Sequence, residues 1–343
     1  VTRAPLPERL TAQALAGPPL RDPVAVAKRL LAVQGQDPRG ARLAIRARTE
    51  GVSAADVDRA LTEDRSLLIT WLNRGTLHLV ASEDYSWLQM LTTPPLRTSC
   101  ATRLRQEGVS EAKAERGVET IERALADEGP LTRAQLKERL QKARVPTEGQ
   151  ALVHLLFLSA LRGHIVRGPM VGKQHAFVLA RDWLGPQKPV DRYVALAELA
   201  RRYLVGHAPA DDRDLARWAG LPLRDSRAGL AAIAKELRQR DDGLVELKRR
   251  PQAAEIPPPR LLGAFDPLLL GWTSREEVLA GATGIVVGQG MFRPFALVDG
   301  RAVALWSLTN EKVEIKQFGK ITKKVTAALE LEAEDVLGYM GMR

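Results

Sequence analysis

The stretch Gly129-Pro130-Leu131-Thr132-Arg133-Ala134-Gln135-Leu136 sets the architecture. A Gly-Pro break is followed by a hydroxyl residue, Thr132, in the position of a helix N-cap, and an amphipathic helix begins there. Gln150 to Leu161 is nearly all apolar and reads as a second helix, ended by Gly163. His164-Ile165-Val166-Arg167 and Ala176-Phe177-Val178-Leu179 then read as two strands about a Gly-Pro, Gly-Lys turn. Helix, helix, hairpin across 127–184 is the winged-helix order. Val205 to Leu247 repeats it, with a helix from Asp212 to Ala219, a turn at Gly220-Leu221-Pro222, a helix from Ser226 to Arg240, and a strand from Leu244 to Leu247 after Asp242-Gly243.

The grammar extends outward from these two segments. Asp22-Pro23 is a helix start, with a cap and a proline at the first helical position, and the helix is expected over Val24 to Val33. Ala54 to Leu61 and Ser66 to Asn73 read as further helices. Asn73-Arg74-Gly75 opens a strand from Thr76 to Val80, and Ser82 caps a helix carrying Tyr85, Trp87 and Leu88. Beyond Ile256-Pro257-Pro258-Pro259, a linker that cannot be helical, Leu261–Phe265, Gly284–Val287, Arg293–Val298, Ala302–Ser307 and Val313–Gln317 read as strands. Val298-Asp299-Gly300-Arg301 is a tight-hairpin signal. The expected fold is α+β: tandem winged-helix (helix-turn-helix) units at 1–125, 126–190 and 191–255, then a small antiparallel β-barrel at 256–343 closed by a helix from Thr322 to Leu337.

Totals narrow the function. A chain of 343 residues is long for one core. No apolar run approaches the roughly 20 residues of a membrane helix, and the first residues do not read as a signal peptide. One cysteine, Cys100, excludes an internal disulfide and a Cys-based zinc site. The five histidines show no HExxH-type pairing, so neither a metal nor any other cofactor is expected. A reducing compartment, the cytoplasm, is expected from the cysteine usage, which a cysteine-poor secreted protein would share. A net charge of +10 attracts polyanions, although a basic host proteome would give the same total. Aromatics are only 5%, which disfavours single-strand binding by base stacking and favours contact with duplex phosphates.

Two clusters carry candidate chemistry. In Val33-Gln34-Gly35-Gln36-Asp37-Pro38-Arg39, Pro38 disfavours helix at Asp37 and Gly35 suits a left-handed helix terminus, so the first helix is expected to end here on a polar turn. A new helix then places Arg39, Arg42 and Arg46 on one face. Spacing alone equally allows a capped helix end with a solvated charged face. In Asn73 to Val80, Thr76, His78 and Val80 share one strand face, and Arg74 sits at its start. His164, Arg167, Lys173 and His175 lie on the hairpin of the 127–184 segment, where a wing touching DNA and a solvated hairpin read alike. Gly288-Gln289-Gly290 is too short for a dinucleotide fingerprint, and P-loop and G-x-S-x-G motifs are absent.

Leu30-Leu31-Ala32-Val33-Gln34-Gly35-Gln36-Asp37-Pro38, Arg74-Gly75-Thr76-Leu77-His78-Leu79-Val80, Tyr203-Leu204-Val205-Gly206-His207-Ala208-Pro209-Ala210, Leu261 through Leu270, Arg293-Pro294 and Leu297-Val298-Asp299-Gly300-Arg301 together resemble the AlkZ/YcaQ family of DNA glycosylases. The resemblance spans nearly the whole chain in order. It implies winged-helix units plus a C-terminal barrel around a basic cleft, and a catalytic Gln-aliphatic-Gln/Asp motif. Gln34 and Gln36 match its polar positions, and Gly35 departs from the aliphatic centre.

The implied activity is hydrolysis of the N-glycosidic bond of N7-alkylpurines, including bulky adducts and interstrand crosslinks, in base excision repair. With no lysine nucleophile in the motif, a monofunctional glycosylase is expected. Its partner would be duplex DNA carrying alkylated purines, contacted by Arg39, Arg42, Arg46, Arg74 and His78. A monomer in a bacterial cytoplasm, held to the nucleoid by DNA, completes the expectation. A non-catalytic winged-helix regulator or lesion-binding protein is the alternative.

Overall fold

The computed structural model of the protein describes residues 5–172, 174–186 and 189–342, and of Gln289 the backbone. Helices and antiparallel strands are mixed, as expected. The backbone gathers into two compact units, Val1–Asp58 with Leu196–Arg343, and Arg59–Ala195.

The first unit begins with α1 (Leu6–Ala12), α2 (Pro23–Leu30), the short strand β1 (Val33–Gln34) and α3 (Pro38–Arg46). Asp22 caps α2 as the sequence indicates: the Ala25 amide donates to its Oδ1 at 2.7 Å, and Pro23 fills the first position, where a missing N–H costs nothing. Within α4 (Ala54–Thr62) the chain passes into the second unit.

That unit holds β2 (Leu67–Leu72), β3 (Thr76–Ala81), α5 (Tyr85–Thr92), α6 (Pro94–Gln106), α7 (Glu111–Glu128), α8 (Arg133–Lys142), α9 (Ala151–Leu161), β4 (Ile165–Val171), β5 (Gln174–Leu179) and α10 (Ala180–Leu184). Its strands lie in the order β3-β2-β4-β5. The helix expected over Ser66–Asn73 is corrected to β2, paired antiparallel with β3 from Leu67↔Ala81 to Leu72↔Thr76. Leu67 to Leu72 is a short run without polar alternation, and such a run has no period to separate a buried strand from a helix. Asn73 and Gly75, both with positive φ, make the turn between the two strands. Thr132 caps α8 in a reciprocal box with Gln135. α9 is the centre of this core: Leu152, Leu155, Leu156, Leu158 and Leu161 are all buried.

The chain returns through α11 (Arg192–His207) to α12 (Asp212–Ala219), α13 (Leu223–Ala232), β6 (Leu237–Gln239) and β7 (Val245–Leu247). The helix expected to reach Arg240 stops at Ala232, and Leu237–Gln239 pairs with Val245–Leu247 instead. Next come β8 (Arg260–Leu262), α14 (Glu276–Leu279), β9 (Val286–Val287), β10 (Met291–Phe292), β11 (Phe295–Val298), β12 (Arg301–Thr309), β13 (Lys312–Gln317) and α15 (Lys323–Tyr339). Asp299 and Gly300, both with positive φ, form the tight turn from β11 to β12.

The expected C-terminal barrel is corrected to an open sheet. Four antiparallel strands run β13-β12-β11-β8, while β9 and β10 pair only with each other. Four strands are too few to close around a side-chain interior. The sheet is covered instead by α15, whose Leu329 and Val336 pack with Leu261, Ala296, Ala304 and Trp306, and Leu43 of α3 joins the same core. Among the described residues no helix is long and apolar enough to cross a membrane.

Candidate active site

The Gln34-Gly35-Gln36 turn is built by what precedes and follows it. α2 stops at Leu30, not at the glutamines. The Ala32 amide donates back to the Leu30 carbonyl at 2.8 Å, with Leu31 between them at φ 65° and ψ −42°. This is a γ-turn of the rare positive-φ kind. A branched side chain there costs about 1–3 kcal/mol, which burial of the whole Leu31 side chain, worth about 1.5–3 kcal/mol, offsets. The left-handed position expected at Gly35 is therefore corrected to Leu31, and Gly35 has no positive φ. No sequence signal marks this, because leucine is among the least expected residues for such a turn.

Past the turn, Gln34 is buried at the end of β1 and Gln36 is exposed. The Gln34 carboxamide makes no hydrogen bond to a described residue. Asp37 is extended (φ −105°, ψ 111°) and its carboxylate accepts from the Arg39 amide at 2.9 Å, so it caps α3 with Pro38 at the first helical position. The same Asp-Pro signal that starts α2 starts α3.

α3 is held firmly. Its Gly40 lies so close to the strand side that an added Cβ would sit 2.3 Å from the Ala264 carbonyl oxygen, and Gly263 opposes it without a side chain. Tyr339 donates its hydroxyl to the Arg42 carbonyl at 2.8 Å. Just past the helix, Arg48 and Asp266 are completely buried as a bidentate pair, at 2.9 and 3.0 Å. Gly40→Ala is expected to lower stability by about 1–3 kcal/mol and to displace the start of α3, because the obstacle is backbone and cannot rotate away. Chemical denaturation of the variant measures this, and an unchanged midpoint would contradict it.

The expected arginine stripe separates into different roles. Arg39 is exposed and donates to the Leu308 carbonyl at 3.0 Å. Arg42 is buried against Asp58, with Nε 3.0 Å from Oδ1. Arg46, also buried, reaches Glu332 at 2.9 Å and Asp335 at 2.7 Å. Guanidiniums neutralised by carboxylates and withdrawn from solvent are poor phosphate contacts, and in these pairs Arg42 and Arg46 anchor α3. Spacing fixed their shared face but not the acids opposite.

Arg74 and His78 belong to the second unit. Arg74 is half-buried. His78 is 3% exposed, and its Nδ1 lies 2.9 Å from the Thr76 carbonyl. Burial, with the nearby charge of Arg74, pulls its pKa down to about 3 against the opposing pull of that carbonyl. A neutral, buried imidazole offers a phosphate no charge, and His78 is turned to the Thr76 carbonyl inside the unit. On the hairpin, His164 meets Glu122 at 3.1 Å and Arg167 lies over the Phe177 ring at 4.2 Å. Burial, helped by Arg133, lowers the Arg167 pKa to about 10. His175 Nδ1 is 2.9 Å from the Gly168 carbonyl, and Lys173 lies outside the described residues.

His207, in the first unit, is likewise buried, stacked on Tyr203, with a pKa lowered by burial to about 3. Both histidines gain protons on unfolding once pH falls below about 6.5. Stability is thus complete above that value and is lost as pH falls toward 3, by about 1.4 kcal/mol per pH unit for each histidine. Urea midpoints at pH 7.5 and 5.5 should differ accordingly, and His207→Gln should flatten the dependence of the first unit. Equal midpoints in the parent protein would contradict both assignments.

Comparison with known proteins gives a consistent result. The family model described as DNA glycosylase AlkZ-like matches residues 27–339. The chain is 28% identical to the interstrand DNA cross-link repair glycosylase of Streptomyces sahachiroi, over 92% of this chain and 90% of that protein. The solved structure of the Streptomyces sahachiroi DNA glycosylase AlkZ superposes with a TM-score of 0.82 at 26% identity, covering 98% of this chain and 95% of the other.

Proposed function

The chain belongs to the AlkZ-like DNA glycosylase family, and from that premise we propose that it hydrolyses the N-glycosidic bond of N7-alkylated purines in duplex DNA, including crosslinked purines, using Gln34 and Gln36. The observation that carries this reading is the placement of the two glutamines between a strained turn at Leu31 and a clamped helix. Rigid placement is what water-directed catalysis needs.

N7 alkylation puts a positive charge on the purine, so the base leaves without a strong acid. Gln34 and Gln36 accept hydrogen bonds from a water and aim it at C1′. As the C1′–N9 bond breaks, its electron pair returns to the base and quenches the charge. The water oxygen bonds to C1′, its extra proton passes to solvent, and an abasic site remains. No lysine in the turn can form an imine with the opened sugar, so the strand stays intact and the enzyme is monofunctional. Arg39, the exposed member of its stripe, and Arg74 serve the DNA backbone.

We keep winged-helix units as the reading of 127–184 and 205–247, where helix, helix and hairpin follow in order. In the first of these the second helix, α9, is buried. A regulator would need that helix free to enter the major groove, so the burial favours the enzyme over the regulator. A duplex with one N7-methylguanine tests the proposal: abasic sites should form, and strand breaks should appear only after alkali. Breaks without alkali would overturn the monofunctional reading, and no base release from it or from a bulkier N7 adduct would overturn the enzyme.

A further inference from the structure

α6 carries Arg97, Arg103 and Arg105 and no carboxylate anywhere from Pro94 to Gln106. Its buried seam is narrow, Cys100 and Leu104 with half-buried Leu96. Arg97, Thr98, Ser99, Thr102, Arg103 and Arg105 are all exposed. Several cations elsewhere in the same unit find acids: Arg139 meets Glu128 at 2.6 Å, Arg181 meets Glu122 at 3.4 Å, and Lys137 meets Glu148 at 3.4 Å. On α6 they do not. Arg97 donates to the Leu161 carbonyl at 3.1 Å, Arg103 to Gln106 at 3.2 Å and Arg105 to Thr102 at 3.3 Å. Among the described residues none of the three pairs with a carboxylate. The next acid along, Glu107, is turned to the Gln150 amide at 2.9 Å.

This face also borders a cavity of about 540 Å³, walled by Arg97, Thr98, Ala101 and Arg105 on one side and by Glu115 and Arg162 on the other. Glu115 is already neutralised by Arg162, with Nη1 2.6 Å from Oε2, and that contact holds its pKa below the usual range. Glu111 at the start of α7 also lines the wall, so two α6 guanidiniums there outnumber one carboxylate outside an ion pair. Uncompensated guanidiniums and hydroxyls beside a groove are the donor set that phosphodiester oxygens accept.

We infer that the exposed face of α6 binds the phosphate backbone of duplex DNA, through Arg97, Arg103 and Arg105 with Thr98 and Thr102. This rests on the glycosylase reading for its partner, and on α6 alone for its place. The surface tracks DNA without reading sequence, as a repair enzyme searching undamaged duplex requires. Replacing three arginines by alanine leaves helix propensity intact, so the variant should fold.

The test is duplex affinity of the whole protein against salt, for the parent, for Arg97→Ala/Arg103→Ala/Arg105→Ala, and for Lys137→Ala/Arg139→Ala/Arg181→Ala as the paired-cation control. The α6 variant should bind at least about tenfold more weakly near 0.1 M salt, with a log K against log salt slope shallower by about 2–3, while the control keeps the parental slope. An α6 variant with parental affinity and slope overturns this inference and leaves the glycosylase standing, and so does a control that loses as much as α6. A parent protein that binds no duplex at low salt overturns both.

Discussion

Asp266→Ala should destabilise the protein by about 3–5 kcal/mol, because it leaves a guanidinium buried without its counter-charge. Arg48 is fully enclosed and spends all its donors: Nε on the Gln13 carbonyl at 2.8 Å, Nη1 on the Ala44 carbonyl and Asp266, and Nη2 on the Gln13 side chain and Asp266. Removing Asp266 strips two of these bonds and also the cap on the Leu268 amide. Domains are stable by only about 5–15 kcal/mol, so the loss is a large part of the total. The pair itself need not add net stability, since taking two charges out of water costs as much as their attraction returns. Arg48→Met/Asp266→Leu should therefore recover most of what the single change loses. Urea denaturation measures both, and a single variant within about 1 kcal/mol of the parent, too small for an orphaned buried charge, would contradict the account.

Gln34→Ala and Gln36→Ala should each slow base release by about 100-fold or more, the scale of losing one preorganised hydrogen-bond partner at a reacting centre. Single-turnover rates isolate the chemical step, and duplex affinity should stay within a few-fold because neither residue supplies charge. If both amides hold one water, the double variant should be little slower than either single variant. Multiplying losses would instead mean two independent roles. Gln34 and Gln36 also differ in exposure, so a structural cost is expected first at Gln34, where an apolar replacement is buried. Denaturation midpoints separate that cost from the rate.

What sequence alone could disclose was local chemistry. The Asp22-Pro23 pair located the start of α2, Thr132 located the cap of α8, and Asp299-Gly300 located a hairpin. Each depends on one backbone turn and its own side chains. The missed features depend on partners far along the chain. Arg46 is anchored by Glu332 and Asp335, nearly three hundred residues away, and periodicity assigns a face without saying what covers it. Leu67–Leu72 lacked any alternation to betray a strand. Closure of the C-terminal sheet depends on how many strands share one ladder, and β9 with β10 leaves that ladder. At the candidate site, the two glutamines were legible, while the cap made by Asp37 and the γ-turn at Leu31 that precedes them were not.

The most direct test of the central claim is release of N7-methylguanine from a single-lesion duplex under single-turnover conditions, by the parent protein and by Gln34→Ala. The account predicts abasic-site formation by the parent and a rate at least about 100-fold lower in a variant that folds and binds DNA equally well. Equal rates in the two would place the reacting water elsewhere and contradict the assignment of the turn.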